Sequence, residues 1–183
     1  MLTVGAILPA FEIVGVKPGF MEHTEDGVSA FQPIDDNSFP DQWKLIYFYP
    51  KDFTFVCPTE IAEFSRLAPE FEARNCGVLG GSSDNEFCKL AWRRAHPDLT
   101  KLNHWSFADP NGAFAALLGV RSHEGVALHA TFLVDPAGVI QHVSVNGLDV
   151  GRSPAETLRV LDAAQTGALC PSARPLGGDT LAA

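Results

Sequence analysis

Cysteine is scarce in this chain and nowhere paired. The four cysteines, at positions 57, 76, 88 and 170 of 183 residues, include no Cys-x-x-Cys motif and no spacing suited to a tetrahedral zinc site. A structural metal is therefore not expected, and disulfide-exchange chemistry, which needs two neighbouring thiols, is disfavoured. Positive charge is also short: 13 Lys and Arg face 22 Asp and Glu, for a net charge of -9, and the basic residues are scattered. No basic stripe is available to neutralise phosphates, which argues against nucleic acid or an anionic membrane as partner. Long apolar runs are missing as well. The opening Met1–Phe11 lacks a basic leader region and meets Glu12 before any long apolar stretch develops. A cytoplasmic protein is expected, one in which an even cysteine count does not imply a disulfide scaffold.

What is present is an ordinary globular composition, 46% hydrophobic and 19% charged, at the length of one domain. Short strands are predicted at Ala10–Ile13 and Phe31–Ile34. The continuous apolar run Leu45–Tyr49, ended by Pro50, reads as a strand buried on both faces. Apolar residues then recur at Ile61, Phe64, Leu67 or Ala68, and Phe71, the spacing of a helix face. That helix should begin close to Cys57, with Pro58 at its first position and Pro69 kinking or dividing it. Further along, Gly77–Ser82 reads as a strand and Glu86–Ala95 as a helix, with Phe87 and Trp92 on its apolar stripe. Gly112–Leu118 reads as another helix. Ala130–Val134 and Val139–Val145, joined by Asp135-Pro136-Ala137-Gly138, should form an antiparallel hairpin. A last helix opens at Ser153-Pro154-Ala155-Glu156, a capping box, and closes near Gly167. These elements predict an α/β fold of thioredoxin-like type: a central mixed sheet flanked by helices over residues 1–167, with a Gly- and Pro-rich arm over 168–183.

The segment Phe48–Glu60 is the most informative. It places a thiol at a helix start, where unpaired N–H groups and the positive end of the helix dipole favour an anion, so the Cys57 thiol is expected below the free-cysteine value of about 8.5. Thr54, three residues earlier, can bring its hydroxyl beside the sulfur, and Pro50 can wall it off without offering an N–H. Neither role follows from spacing alone.

Pro50-x-x-x-Thr54-x-x-Cys57 resembles the active-site motif of peroxiredoxins. The wider run Phe53–Glu60 resembles the typical two-cysteine group that includes the alkyl hydroperoxide reductase C proteins. Thr131–Pro136, Val143–Ser153 and Cys170-Pro171 extend the resemblance along nearly the whole chain. The resemblance implies a thiol peroxidase without cofactor or metal. In it Cys57 attacks a hydroperoxide, Thr54, Pro50 and Arg152 assist, Glu60 supports Arg152, and Cys170 resolves the resulting sulfenic acid as a disulfide between two copies of the chain. It further implies a homodimer that assembles into a ring such as a decamer, and a protein dithiol reductant, either thioredoxin-like or a dedicated alkyl hydroperoxide reductase partner.

Two departures stand out. Where the family carries an arginine that touches sulfur and peroxide, this chain has His129. An imidazole is charged only near or below about 6.5, so slower or more acid-dependent chemistry is expected. Where a tryptophan usually follows the resolving cysteine, this chain has Arg174. Cys76 and Cys88 match no catalytic position and read as structural. A non-enzymatic ring-forming holdase, its thiols serving only as a switch, is the alternative from another class.

Overall fold

The computed structural model describes residues 1–181. The elements run β1 (Glu12–Val16), β2 (Thr24–Glu25), β3 (Val28–Ser29), β4 (Phe31–Asp35), β5 (Trp43–Phe48), α1 (Cys57–Glu72), β6 (Cys76–Ser82), α2 (Glu86–Ala95), β7 (Trp105–Ala108), α3 (Ala113–Leu118), β8 (His129–Val134), β9 (Ile140–Asn146) and α4 (Pro154–Gln165). A 3-10 turn at Pro97–Leu99 follows α2. Seven strands form one mixed sheet in the order β4-β1-β7-β6-β5-β8-β9. Within it β5, β6 and β7 are parallel, while β8 runs antiparallel to β5 and β9 antiparallel to β8. No helix among the described residues is long and apolar enough to cross a membrane.

β5 lies at the centre of the site-bearing half because both of its faces are apolar. Leu45, Tyr47 and the following Tyr49 pack with Ile61, Phe64 and Phe71 of α1, whereas Ile46 and Phe48 pack against Phe107, Phe132 and Phe114 of α3 on the other face. Tyr47 stacks on Phe64 with centroids 4.2 Å apart and donates to or accepts from His104 at 3.2 Å. Gly80 on β6 has no side chain because the Tyr47 ring fills the space a Cβ would need. This is the mixed, helix-flanked α/β sheet of the thioredoxin-like expectation.

Several local expectations need correction. The first strand begins at Glu12 instead of Ala10, since the Phe11 N–H turns to Asp36 Oδ1 at 3.4 Å. Pro58 stands one place further along than expected, Cys57 being the first residue of α1, and Pro69 does not divide the helix. A proline at 69 frees the carbonyl of Ser65, and Asn103 Nδ2 donates to that oxygen at 3.4 Å. Phe87 is 58% exposed, not core. The buried face of α2 carries Leu90, Trp92 and Arg93, and at 3.6 residues per turn Phe87 lies about 140° around from Trp92. The capping box of α4 is half made: Ser153 Oγ accepts from Glu156 N–H at 3.3 Å, but the Glu156 carboxylate pairs with Arg159. Strand β7 and the β2–β3 hairpin lie outside the elements that local pattern predicts.

Beyond α4, residues 168–181 contain no helix or strand, and the last two positions of the expected arm, 182 and 183, lie outside the described residues. Arg174 is buried and holds this segment to α4 through Asp162 at 2.6 Å, where the Gly177 N–H also donates at 3.0 Å. A fixed charge pair thus takes over an anchoring task that apolar packing could have served.

Candidate active site

The end of β5 and the start of α1 bring the site together. Strand pairing aims β5 at the turn Pro50–Val56, and the chain enters α1 with Cys57, 3% exposed, in its first turn. The turn is bent through Phe53, which adopts a left-handed backbone at φ 55° and stacks on Trp92 with centroids 5.7 Å apart. A left-handed conformation is unfavourable for a bulky residue unless its surroundings hold it there. They do so here through Asp52: its Oδ1 accepts from Ser82 Oγ at 2.8 Å and from Lys89 Nζ at 2.7 Å, and both members of the ion pair are almost wholly buried. The Asp52 N–H in turn donates to Asp84 Oδ2 at 2.7 Å. Sequence reasoning misses Lys89, Ser82 and Asp84 and has no signal for them: they lie 30 to 37 residues away and look like ordinary surface polar residues. Donor atoms of Asp52, Asp84 and Cys88 lie within 4.8 Å of one another, but the Lys89 ammonium already sits on Asp52, which makes the group an anchor for the turn.

Thr54 Oγ1 donates to the Lys51 carbonyl at 3.1 Å, three residues before the Cys57 sulfur. Pro50, half-buried at the strand end, presents no N–H. One turn into α1, Glu60 is buried against Arg152. The guanidinium donates through Nε to Oε1 at 3.0 Å and through Nη2 to Oε2 at 2.9 Å, a bidentate fork. Its Nη1 donates to the Ala130 carbonyl at 2.7 Å, and its plane lies 5.2 Å from the centre of the Tyr47 ring. His129 is wholly buried, and its Nδ1 meets the same Glu60 Oε2 at 2.9 Å. The sequence therefore selects five residues that the fold brings together: Cys57, Thr54, Glu60, Arg152 and His129.

Burial alone would push the Glu60 carboxyl up, but the hydrogen bonds from His129 and Arg152 outweigh it and hold the group at about 2. Its folded value being below its ordinary 4.5, Glu60 contributes stability in full above 4.5 and loses it as pH falls from there through about 2. The difference is worth about 3 kcal/mol. Urea unfolding of the native protein and of Glu60→Gln should show a stability gap that is flat from neutral pH down to the mid-4 range and then closes by that amount.

Cys57 departs from the expectation of a depressed thiol. Burial pushes it up and the Glu60 carboxylate adds to this, while the Thr54 hydroxyl, the Lys51 backbone and the Arg152 guanidinium pull it down without prevailing. Desolvation is the largest of these influences on the sulfur. The other thiols fare worse: burial pushes Cys76 up to about 12, and burial with the nearby Asp52 and Asp84 pushes Cys88 up to about 11.

Cys170 is not part of this cluster. Its sulfur lies 3.5 Å from Thr166 Oγ1 and 3.7 Å from the Ala163 carbonyl, at the C-terminal end of α4. That end of α4 meets the C-terminal end of α1, where Arg74 pairs with Asp162 and Gln165 Nε2 donates to the Arg74 carbonyl at 2.6 Å. Cys57 stands at the opposite end of the 16-residue α1, a helix about 24 Å long at 1.5 Å per residue.

Comparison with known proteins shows a family and a fold. Residues 4–143 match the AhpC/TSA family. Alkyl hydroperoxide reductase C of Mycolicibacterium smegmatis is 43% identical, over 93% of this chain and 88% of that protein. Peroxiredoxin-2 of Bos taurus is 38% identical over 97% and 88% respectively. The solved structure of Mycobacterium tuberculosis AhpC superposes with a TM-score of 0.86 at 41% identity, covering 93% of this chain and 97% of that one. With a matching sequence pattern, a matching fold and a thiol at the start of α1, the chain belongs to the AhpC/TSA family.

Proposed function

We propose that this protein is a thiol peroxidase that reduces hydrogen peroxide and alkyl hydroperoxides at Cys57. The observation that carries the reading is the buried cluster around that sulfur: a hydroxyl from Thr54, a fixed cation from Arg152 and the Glu60 carboxylate that holds the cation in place. The thiolate attacks the distal oxygen of the hydroperoxide, the O–O bond breaks, and the sulfur becomes a sulfenic acid while an alcohol or water departs. Charge moves from sulfur to oxygen in this step. Arg152, held before the substrate arrives, is suited to stabilising it at both ends. Thr54 can turn its proton from the Lys51 carbonyl to sulfur or substrate, and Pro50 closes one side without competing for hydrogen bonds. No cofactor is needed, since the thiol supplies both electrons.

Recycling proceeds, in this reading, by attack of Cys170 on the sulfenic acid. Cα atoms joined by a disulfide stand about 4.4–6.8 Å apart, far less than the length of α1 that separates the two cysteines in one chain. A second copy of the chain therefore supplies Cys170, which makes the working unit a homodimer, itself able to assemble into a ring. A protein dithiol, thioredoxin-like or from a dedicated reductase, then reduces the disulfide, and a cytoplasmic location accords with that supply of reductant. Turnover of hydroperoxide with a dithiol reductant tests the whole. Consumption that needs Cys57 is expected. A folded protein that binds unfolded clients but consumes no peroxide would favour the holdase reading.

A further inference from the structure

The segment that carries Cys170 is held to the rest of the chain at very few points. Of residues 168–181 Arg174 alone is buried, while Leu169, Leu176 and Leu181 are all exposed. Charge and hydrogen bonds, not an apolar core, therefore keep it in place. Arg174 Nη1 donates to Asp162 Oδ2 of α4 at 2.6 Å, and the Gly177 N–H meets the same oxygen at 3.0 Å. Arg159 Nη1 donates to the Arg174 carbonyl at 3.2 Å. Burial pushes the Asp162 carboxyl up, but the bonds from Arg174, the Gly177 N–H and Arg74 outweigh it and hold the group below its ordinary value. The seat is nevertheless incomplete. Arg174 Nε is buried and has no partner among the described residues, and the one carboxylate is shared with Arg74 of the α1 end.

This seat also fixes Cys170. The Arg174 N–H closes a turn on the Pro171 carbonyl at 3.2 Å, and the Cys170 sulfur rests 3.5 Å from Thr166 Oγ1 and 3.7 Å from the Ala163 carbonyl of its own α4. A disulfide brings two sulfurs to about 2 Å. Cys57 is 3% exposed, which leaves no room for a second sulfur beside it, and Cys170 is occupied with its own helix. To attack a sulfenic acid in another copy, Cys170 has to leave this position.

We propose that the Arg174–Asp162 ion pair is the latch of the resolving arm: while it is closed Cys170 stays on α4, and its opening sets the rate at which the disulfide forms. This rests on the peroxidase reading and on Cys170 as its resolving thiol. It makes Arg174 a positioning residue for recycling and not for peroxide reduction. The step it gates balances. The Cys170 thiol gives up its proton and attacks the sulfenic sulfur, the S–S bond forms as the S–O bond breaks, and the hydroxide released takes a proton to leave as water. No further oxidant or reductant enters. Because only the open arm reacts, the observed rate is the intrinsic rate multiplied by the fraction of arms that are open. A latch that holds the arm closed lowers that fraction without touching Cys57.

The test follows two events on the full chain after mixing with hydrogen peroxide: loss of peroxide, and growth of the covalent dimer on non-reducing gels of samples quenched at successive times. Peroxide is raised until the dimer constant no longer increases, so that it reports recycling alone. Arg174→Gln should form the dimer about tenfold faster than the native protein or more, the worth of one hydrogen bond between charged groups, with peroxide loss unchanged. Arg174→Lys, which restores the charge, should return the dimer constant toward the native value. Asp162→Asn should act in the direction of the glutamine variant and carries the test should that variant not fold by circular dichroism. Dimer formation at the native rate or slower in the variant tested overturns the latch, as does a lysine variant as fast as the glutamine one. A native protein that consumes peroxide but forms no dimer overturns the role of Cys170 and the latch with it. One that consumes no peroxide overturns the peroxidase reading itself.

Discussion

Replacing Arg152 by alanine is expected to slow oxidation of Cys57 by hydroperoxide about 10²–10³-fold, the scale on which one prepositioned donor matters to developing charge. The guanidinium is fixed on three sides, by the Glu60 fork, the Ala130 carbonyl and the face of Tyr47. It is also the permanent cation that draws the Cys57 thiol down. Removing it raises the cost of the thiolate and leaves nothing rigid to meet the charge that moves onto the leaving oxygen. A second effect is expected on stability. Glu60 would keep only its bonds to His129 and to the backbone N–H at position 152, and a buried charge stripped of its main partner typically costs about 3–5 kcal/mol. Arg152→Lys should recover part of the rate through its charge, but not the bidentate geometry. Stopped-flow oxidation and urea denaturation separate the two effects; an alanine variant oxidised at the native rate would remove Arg152 from the chemistry.

Lys89→Ala is the other substitution expected to be severe, although Lys89 touches neither sulfur nor substrate. It neutralises Asp52 in the interior, with both side chains almost fully out of water. Loss of the ammonium leaves that carboxylate unpaired, at a cost of about 3–5 kcal/mol. Asp52 anchors the turn that holds Phe53 left-handed and sets Thr54 beside Cys57. Peroxidase rate should therefore fall along with the unfolding midpoint, even at temperatures where the variant stays folded. The double change Asp52→Asn with Lys89→Met should be less damaging than Lys89→Ala alone, because no bare charge remains. Equal losses in the two variants would show that the turn does not depend on this pair.

What the sequence makes legible is what repeats at short range or sits in one contiguous motif. The apolar run of β5, the helical spacing of α1, the cap and proline of α4 and the turn between β8 and β9 each announce themselves within a dozen residues. The thiol motif does too, because Pro50, Thr54 and Cys57 are placed by a single turn and helix start. Strand β7 is hidden because it has four residues and a serine among them, too few for a period to stand out. The contacts that give the site its electrostatics are hidden from local pattern for a different reason, and of them only the Glu60–Arg152 pair is expected, through the family resemblance. Glu60 meets His129 across 69 residues and Arg152 across 92, and Asp52 meets Lys89 across 37. Such pairs arise from the order of strands in the sheet, which no local pattern records. The same distance hides the burial of Cys57: the sequence displays the helix start but not the packing that raises the thiol.

The central claim concerns two sulfurs, and one gel addresses both. The native protein, Cys57→Ser and Cys170→Ser are each reduced, treated with a single equivalent of hydrogen peroxide, blocked with an alkylating agent and run without reductant. A covalent dimer is expected from the native protein and from neither variant, together with loss of one peroxide equivalent in the native and Cys170→Ser samples but not in Cys57→Ser. A Cys57→Ser protein that still consumes the peroxide and forms the dimer would contradict the assignment of residue 57 as the attacking thiol.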